Sequence, residues 1–434
     1  MQADDEGGVP PRPEFRAAAK VWARIGLLSF GGPAAQIALM HRVLVEERRW
    51  LDERKFLSAL SFCMLLPGPE AMQLATYAGW RLHGVRGGLV AGLLFVAPGA
   101  LLVLVLSILY GAYGQTPPAA ALFVGIKAAV LAIVLQALVR LGRRALKGAV
   151  DWLVAAAAFI ALFFLALPFP LVIAAAALVG ALRTRNLPLP PMPAPPPVPV
   201  PQTVRTILIW LAVWLGPLAG VVLIFGSDHV LAQTAWFFSK LAVVTFGGAY
   251  AVLAYMAQEV VVGYGWLTPG EMLDGLGLAE TTNGPLILVT EFVGYTAAHR
   301  FGGGTPVAMG ILGALVTLWA TFAPCFLWIF AGAPYIERLT HAPRLASALR
   351  TVTAAVVGVI GNLSVWFALH VLFGEVREQR FGPLLLHVPE PASLDATALV
   401  LSALAVALVF AVRAGIATTL GVCAAAALAW LYLS

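Results

Sequence analysis

The chain has 434 residues, 61% of them hydrophobic and only 11% charged, with a mean hydropathy of +0.90. A soluble protein of this length needs far more polar surface, so the composition excludes a soluble globular fold and reads as an all-α polytopic membrane protein. The formal charge of +6 and the pI near 9.4 call for no nucleic-acid partner, because Lys/Arg-rich loops on one side are an ordinary consequence of membrane topology.

The start, "MQADDEGGVPPRPEF", is polar and carries no short apolar core before a small-residue site, so no cleavable signal is expected. The first apolar arms, Val21–Phe30, Pro33–Val45, Phe56–Leu66 and Glu70–Arg81, run only 10 to 13 residues. That is short for a crossing of ~20 residues. Each pair is divided by a helix breaker, Phe30-Gly31-Gly32-Pro33 in the first and Pro67-Gly68-Pro69 in the second. Two helical hairpins that dip to the midplane and return are the predicted outcome. Spans follow near 87–113, 118–139, 149–166 and 168–182. The stretch "NLPLPPMPAPPPVPVPQ", 186–202, reads as a semi-rigid exposed spacer, with a proline-motif ligand as the alternative. A lone span, Thr206–Phe225, comes next. The second half then repeats the pattern, with breaks at Phe246-Gly247-Gly248 and Asn283-Gly284-Pro285 and spans near 305–331, 350–373, 396–412 and 414–431.

The halves match at a constant offset of 216. Met40 meets Met256, Trp50-Leu51 meet Trp266-Leu267, and Gly68-Pro69 meet Gly284-Pro285. After one gap Gly79 meets Gly294, and farther on Ala128-Ala129-Val130 match Ala354-Ala355-Val356, which sets Gln136 opposite Asn362. The predicted organisation is a first repeat over 1–185, a linker and bridging helix over 186–228, and a second repeat over 229–434. With a cytoplasmic N-terminus and returning hairpins, only Arg300, Arg377 and Arg380 among the 27 Lys/Arg residues fall outside, and Arg24, Lys127 and Lys240 fall within the membrane. Full crossings would move Arg42, Arg48, Arg49, Arg54 and Lys55 outside, so the positive-inside rule favours hairpins. In either case the single bridging span inverts the second repeat and sets the C-terminus outside. The expected location is the inner (plasma) membrane. Inverted repeats with broken helices near the midplane are a transporter architecture.

A helix that begins in mid-membrane presents unpaired N–H groups and the positive end of its dipole, and glycine lets a ligand approach that backbone. Converging tips therefore suit an oxyanion. The candidate substrate-binding residues are Arg24, Phe30, Gly31, Gly32, Gly68, Gln73, Lys240, Gly247, Gly248, Thr282, Asn283 and Gly284. Arg24 has snorkelling to headgroups as its structural alternative. Thr281, Thr282, Asn283 and Gln73 serve either the anion or frayed backbone. Lys127 serves either the site or an interhelical ion pair, and Gln136 and Asn362 either the cavity or an interhelical hydrogen bond. Glu70, Glu280 and Glu291 are candidates for proton coupling, with helix capping as the plain alternative for Glu70. Cys63, Cys325 and Cys423 lie in apolar segments at spacings that form no metal cluster. No cofactor or nucleotide motif is present, so an enzyme is not expected.

"RIGLLSFGGPAAQIALMHR", "ERRWLDERKFLSALSFCMLLPGPEAMQLATYAGW" and "TFGGAYAVLAY…GWLTPGEMLDGLGLAETTNGPLILVTEFVGY" resemble the chromate ion transporter family in its long, two-domain form. The resemblance spans nearly the whole chain. It implies a thirteen-segment protein with oppositely oriented halves that exports chromate, a tetrahedral dianion shaped like sulfate, driven by the membrane potential or the proton gradient. Sulfate or another oxyanion as substrate, or an anion channel of the same architecture, are the alternatives. The implied partners are the oxyanion, protons and the lipid bilayer, with a homodimer left open. Two departures stand out: Asn283 replaces the proline usual in relatives, and Gln36 stands where many carry histidine.

Overall fold

The computed structural model describes residues 13–184, 200–244, 246, 249–336 and 342–433. In the first half α1 (Phe15–Leu28) and α2 (Gly32–His41, prolonged by a π turn Arg42–Glu47) flank the first glycine pair. Helix α3 (Glu53–Cys63) leads to the second break, after which α4 (Glu70–Tyr113) forms two limbs joined at a kink, where His83 leaves helical geometry and Gly84 takes φ 63. Helices α5 (Pro117–Ala145), α6 (Ala149–Phe163) and α7 (Phe169–Arg183) complete that half. The bridging helix α8 (Val200–Phe225) begins six residues earlier than the predicted lone span, taking in the last residues of the proline-rich stretch; the rest of that stretch lies outside the described residues.

The second half holds α9 (Val230–Val244), α10 (Ala249–Gln258, with a π turn Glu259–Gly263) and α11 (Pro269–Thr281). A single 3-10 turn, Leu286–Leu288, follows Pro285 and precedes α12 (Val289–Phe301). Then come α13 (Pro306–Gly332), α14 (Pro343–Leu372), α15 (Ala396–Val406, with a π turn Ala407–Val412) and α16 (Ile416–Leu433). Between α14 and α15 stands an element that hydropathy alone did not suggest, an antiparallel hairpin of β1 (Val376–Phe381) and β2 (Leu384–Pro389). Its two-residue turn opens on Gly382 at φ 60, the sign tight hairpins favour. Six helices among the described residues are long and apolar enough to cross a membrane.

Contacts at helix ends sort the bundle into two faces. On one, His83 Nε2 meets Pro13 O at 2.8 Å, Arg350 Nη2 meets buried Asp151 at 2.8 Å, and Ser347 Oγ donates to Gly180 O at 2.7 Å. On the other, Arg300 Nη2 pairs with Glu271 at 2.5 Å, His229 Nε2 meets Gly302 O at 3.1 Å, and Leu385 N donates to Phe164 O at 2.7 Å. The short arms turn back instead of running on. Trp22 and Trp50 have ring centroids 6.5 Å apart although the Gly31-Gly32 break lies between them, and Phe237 and Trp266 lie 5.9 Å apart across the second-half counterpart. Phe62 and Tyr77 close the hairpin at Gly68, and the Arg300–Glu271 pair closes the one at Gly284. Aromatic burial and interhelical van der Waals packing hold these turns.

Two helix pairs run through the centre. Helix α4 packs on α13 and α5 on α14; α6 and α7 clasp α14 as α15 and α16 clasp α5.

Candidate functional site

Three of the four glycine breaks are described, and each is a left-handed turn. Gly31 and Gly32 take φ 86 and 77, Gly68 takes φ 118 and Gly284 φ 100. Only glycine enters this region without strain, which explains its place at each tip. Gly247 and Gly248, the fourth break, lie outside the described residues.

The first and last tips meet. Gly284 N donates to Ser29 O at 2.8 Å, and Gln36 Nε2 donates to Gly284 O at 2.6 Å. Asn283 Nδ2 reaches back to Gly26 O at 3.3 Å, an end carbonyl of α1 that also accepts the Ser29 N–H at 3.4 Å. The Asn283 amide thus joins the two halves, a use that a proline at this position could not serve. Gln36, read from the sequence only as a departure, is buried and holds the same junction. The tip rests on α4 at Gly99, where an added Cβ would stand 2.0 Å from Asn283 O. The Gly68 tip rests likewise on α13, where its own Cβ would come 3.0 Å from Cys325 Sγ. Gly99 and Cys325 are 226 residues apart, the offset that relates Ala128 to Ala354, and each follows a proline, Pro98 and Pro324.

The predicted site residues divide by environment. Phe30, Gly31 and Arg24 are exposed, and the space beside Gly32 is open to 4 Å. The first-turn amides of α2 therefore lie on an accessible surface, with Arg24 about two helical turns below. Gln73 and Thr282 are buried and spend their donors on backbone, Gln73 Nε2 on Pro67 O at 2.6 Å and Thr282 Oγ1 on Ala279 O at 3.1 Å. Thr281 does the same with Leu278 O. Lys240 is exposed, its Nζ 5.4 Å from the Tyr255 ring centroid, a cation–π contact. Lys127 forms the interhelical pair named as its alternative, 3.1 Å from Asp274 Oδ1, while Tyr110 Oη donates to Asp274 Oδ2 at 2.8 Å.

The carboxyls differ as sharply. Glu70 opens α4 at its N-terminus. Glu280 accepts from Tyr250 Oη at 2.7 Å, and Arg140 lies within electrostatic reach of that hydroxyl while its Nη2 donates to Gln136 Oε1 at 3.3 Å. Sequence reasoning counted Arg140 with the cytoplasmic cluster; its i,i+4 spacing from Gln136 is the signal for their shared helix face. Glu291 is 0% exposed, and neither carboxyl oxygen has a hydrogen-bond partner among the described residues. It faces an apolar cavity of 740 Å³ between α4, α8 and α13.

The fold and the broken-helix junction define a class, polytopic α-helical membrane proteins whose short helices end against one another within the bundle. Within that class the chain belongs to the chromate transporter family, whose model matches residues 17–181 and again 232–430. It is 33% identical over 365 residues to a chromate transport protein of Pseudomonas aeruginosa, covering 82% of each chain. To a probable chromate transport protein of Synechococcus elongatus it is 30% identical over 357 residues, 82% of this chain and 85% of that one. An uncharacterised transporter of Bacillus subtilis is 31% identical over 144 residues, which are 31% of this chain but 68% of that protein. No solved structure shows significant similarity.

Proposed function

We propose that the chain is a secondary transporter that exports chromate from the cytoplasm, built from two inverted copies of one unit. The observation that carries this reading is the junction of Ser29, Gln36, Asn283 and Gly284, where broken helices of the two halves end against each other beside the exposed Gly31-Gly32 amides. The substrate class rests on the relatives, whose names give chromate. Support for the duplication comes from the twofold match of one family model, from the matched contacts at Gly99 and Cys325, and from the short Bacillus relative. The face bearing Arg42, Arg48, Arg49, Arg350 and Arg413 is cytoplasmic by the positive-inside rule, which sets the C-terminus outside.

Arg24 and Arg140 supply positive charge on the cytoplasmic approach and Lys240 on the opposite one, a pattern that draws in a dianion from either side. Of the three coupling candidates Glu291 is the best placed. An unpartnered carboxylate in apolar surroundings is far more costly than a neutral carboxyl, so any movement that changes its surroundings changes its hold on a proton.

Radiolabelled chromate uptake into inside-out vesicles tests the reading, with and without sulfate competition. Saturable uptake should collapse when the proton gradient and membrane potential are dissipated. Lys240→Gln should lower uptake at least about tenfold, and Glu291→Gln should leave exchange but remove its dependence on the proton gradient. Uptake no greater than in vesicles lacking the protein overturns the proposal.

A further inference from the structure

Beneath the β-hairpin lies a cavity of about 510 Å³ whose walls come from α6, α10 and α14. Its polar lining is Gln258, Asn362, Trp366, Glu378, Arg380 and His387. Strand alternation puts one face of the hairpin over this space: Glu378 pairs with His387 and Arg380 with Leu385 across the ladder, and all four line the cavity. The roof is fastened to α6 by Leu385 N on Phe164 O and by the Phe163–His387 ring contact at 5.1 Å.

The polar groups are unevenly used. The His387 side chain is 10% exposed; its Nε2 lies 3.5 Å from Glu378, while its buried Nδ1 has no hydrogen-bond partner among the described residues. Glu378 is thereby held toward the histidine. Arg380 has no ion-pair partner among the described residues, whereas Arg377, on the other face of the same strand, is 3.1 Å from Glu390. The offset of 226 sets Asn362 opposite Gln136 and Trp366 opposite Arg140. In the first half an amide and a guanidinium thus stand together on one helix. In the second half tryptophan takes the place of the arginine, and the missing cation arrives from the hairpin as Arg380.

We propose that this roofed cavity is a second binding site for the oxyanion, on the face opposite the basic cluster, with Arg380 supplying the charge and Gln258 and Asn362 the amide donors. The site rests on the oxyanion-transport reading above. Burial holds the His387 imidazole below its ordinary pKa, with Glu378 opposing the shift and His370 near enough to feel its charge.

The test is binding of radiolabelled chromate to the purified full-length protein, together with transport measured from each face in sided vesicles. Wild type should show two classes of site. Arg380→Gln should weaken one class at least about tenfold and raise the KM from the hairpin face alone, Arg380→Lys should restore part of it, and Arg377→Gln should behave as wild type. Equal losses in Arg377→Gln and Arg380→Gln, or a single class untouched by Arg380→Gln, overturn the second site and leave the transport proposal standing. Absence of any chromate binding or uptake in wild type overturns the transport proposal itself.

Discussion

The two hairpin pairs share a sequence pattern but not an environment. In the second half α11 is buried along Glu271–Ala279 and packs on α5, α14 and α16, and α10 packs on α14. In the first half α2 buries only Gln36 and Met40, and α3 packs chiefly on α4, leaving Leu57 and Met64 exposed. The exposed tip at Phe30 and Gly31 belongs to this looser pair. One design held in two environments is what a transporter with alternating access presents in any single conformation. On that reading the second-half hairpins are closed against the α5–α14 pair, and the first-half hairpins stand away from it on the basic face. In the proposed transport cycle, exchange of the two environments would carry the site from one side to the other.

The largest effect that can break this comparison lies where the second-half tip meets α4. Gly99→Ala puts a Cβ within 2.0 Å of the Asn283 carbonyl, a backbone atom that has nowhere to go. Overpacking of this kind costs about 1–3 kcal/mol, and a displaced tip should cut uptake at least about tenfold. Cys325→Ala, at the matching position of α13, only removes a sulfur from beside Gly68 and should cost less than about 1.5 kcal/mol. Thermal unfolding in detergent and vesicle uptake read both variants. A Gly99→Ala protein that melts and transports like wild type would show that the second-half tip is not seated on α4.

The sequence carried the glycine tips, the offset and most helix spans because each has a strong local cause: a break in an apolar arm, a repeated residue pair, or a long apolar run. What it did not carry depends on contacts between distant segments. The Asn283 amide was legible as a donor, but its acceptors are 257 residues away in α1. Gln36 looked like a lost titrating group, whereas its partner is Gly284 O. Arg140 was masked by its neighbours Arg143 and Arg144, which do belong to a basic helix end. The β-hairpin escaped because "VREQRFGPLLLHVP" is short and polar on one strand, and hydropathy reads it as a loop.

An intermediate effect belongs to Gln36. Its hydrogen bond to Gly284 O is buried, so Gln36→Leu leaves a carbonyl unsatisfied at about 1–3 kcal/mol. Gln36→His, which restores a ring N–H, should recover most of the loss in thermal stability and in uptake. The position 216 residues on is Val252, buried and apolar, so that position offers no equivalent side-chain donor. Failure of histidine to recover more than leucine would remove Gln36 from the junction.

The smallest effect sharpens the same comparison at the helix starts. Asp52 and Thr268, again 216 apart, are the N-caps of α3 and α11; Asp52 accepts from Lys55 N at 2.8 Å, and Thr268 forms a reciprocal capping box with Glu271. Replacement of either by alanine should cost about 1 kcal/mol. The pH dependence differs. Lys55, through its side chain and its backbone N–H, holds the Asp52 carboxyl below its ordinary pKa. Its contribution is therefore complete above the unfolded carboxylate range, near pH 4, and fades as the pH falls through the lower folded-state value. Asp52→Ala should lose its difference from wild type in acid, whereas Thr268→Ala should lose only the part carried by its hydroxyl's bond to the Glu271 carboxylate. Parallel melting curves of both variants against wild type between neutral and acid pH decide it: an Asp52→Ala deficit that persists undiminished in acid shows that the cap does not act through the ionised carboxylate.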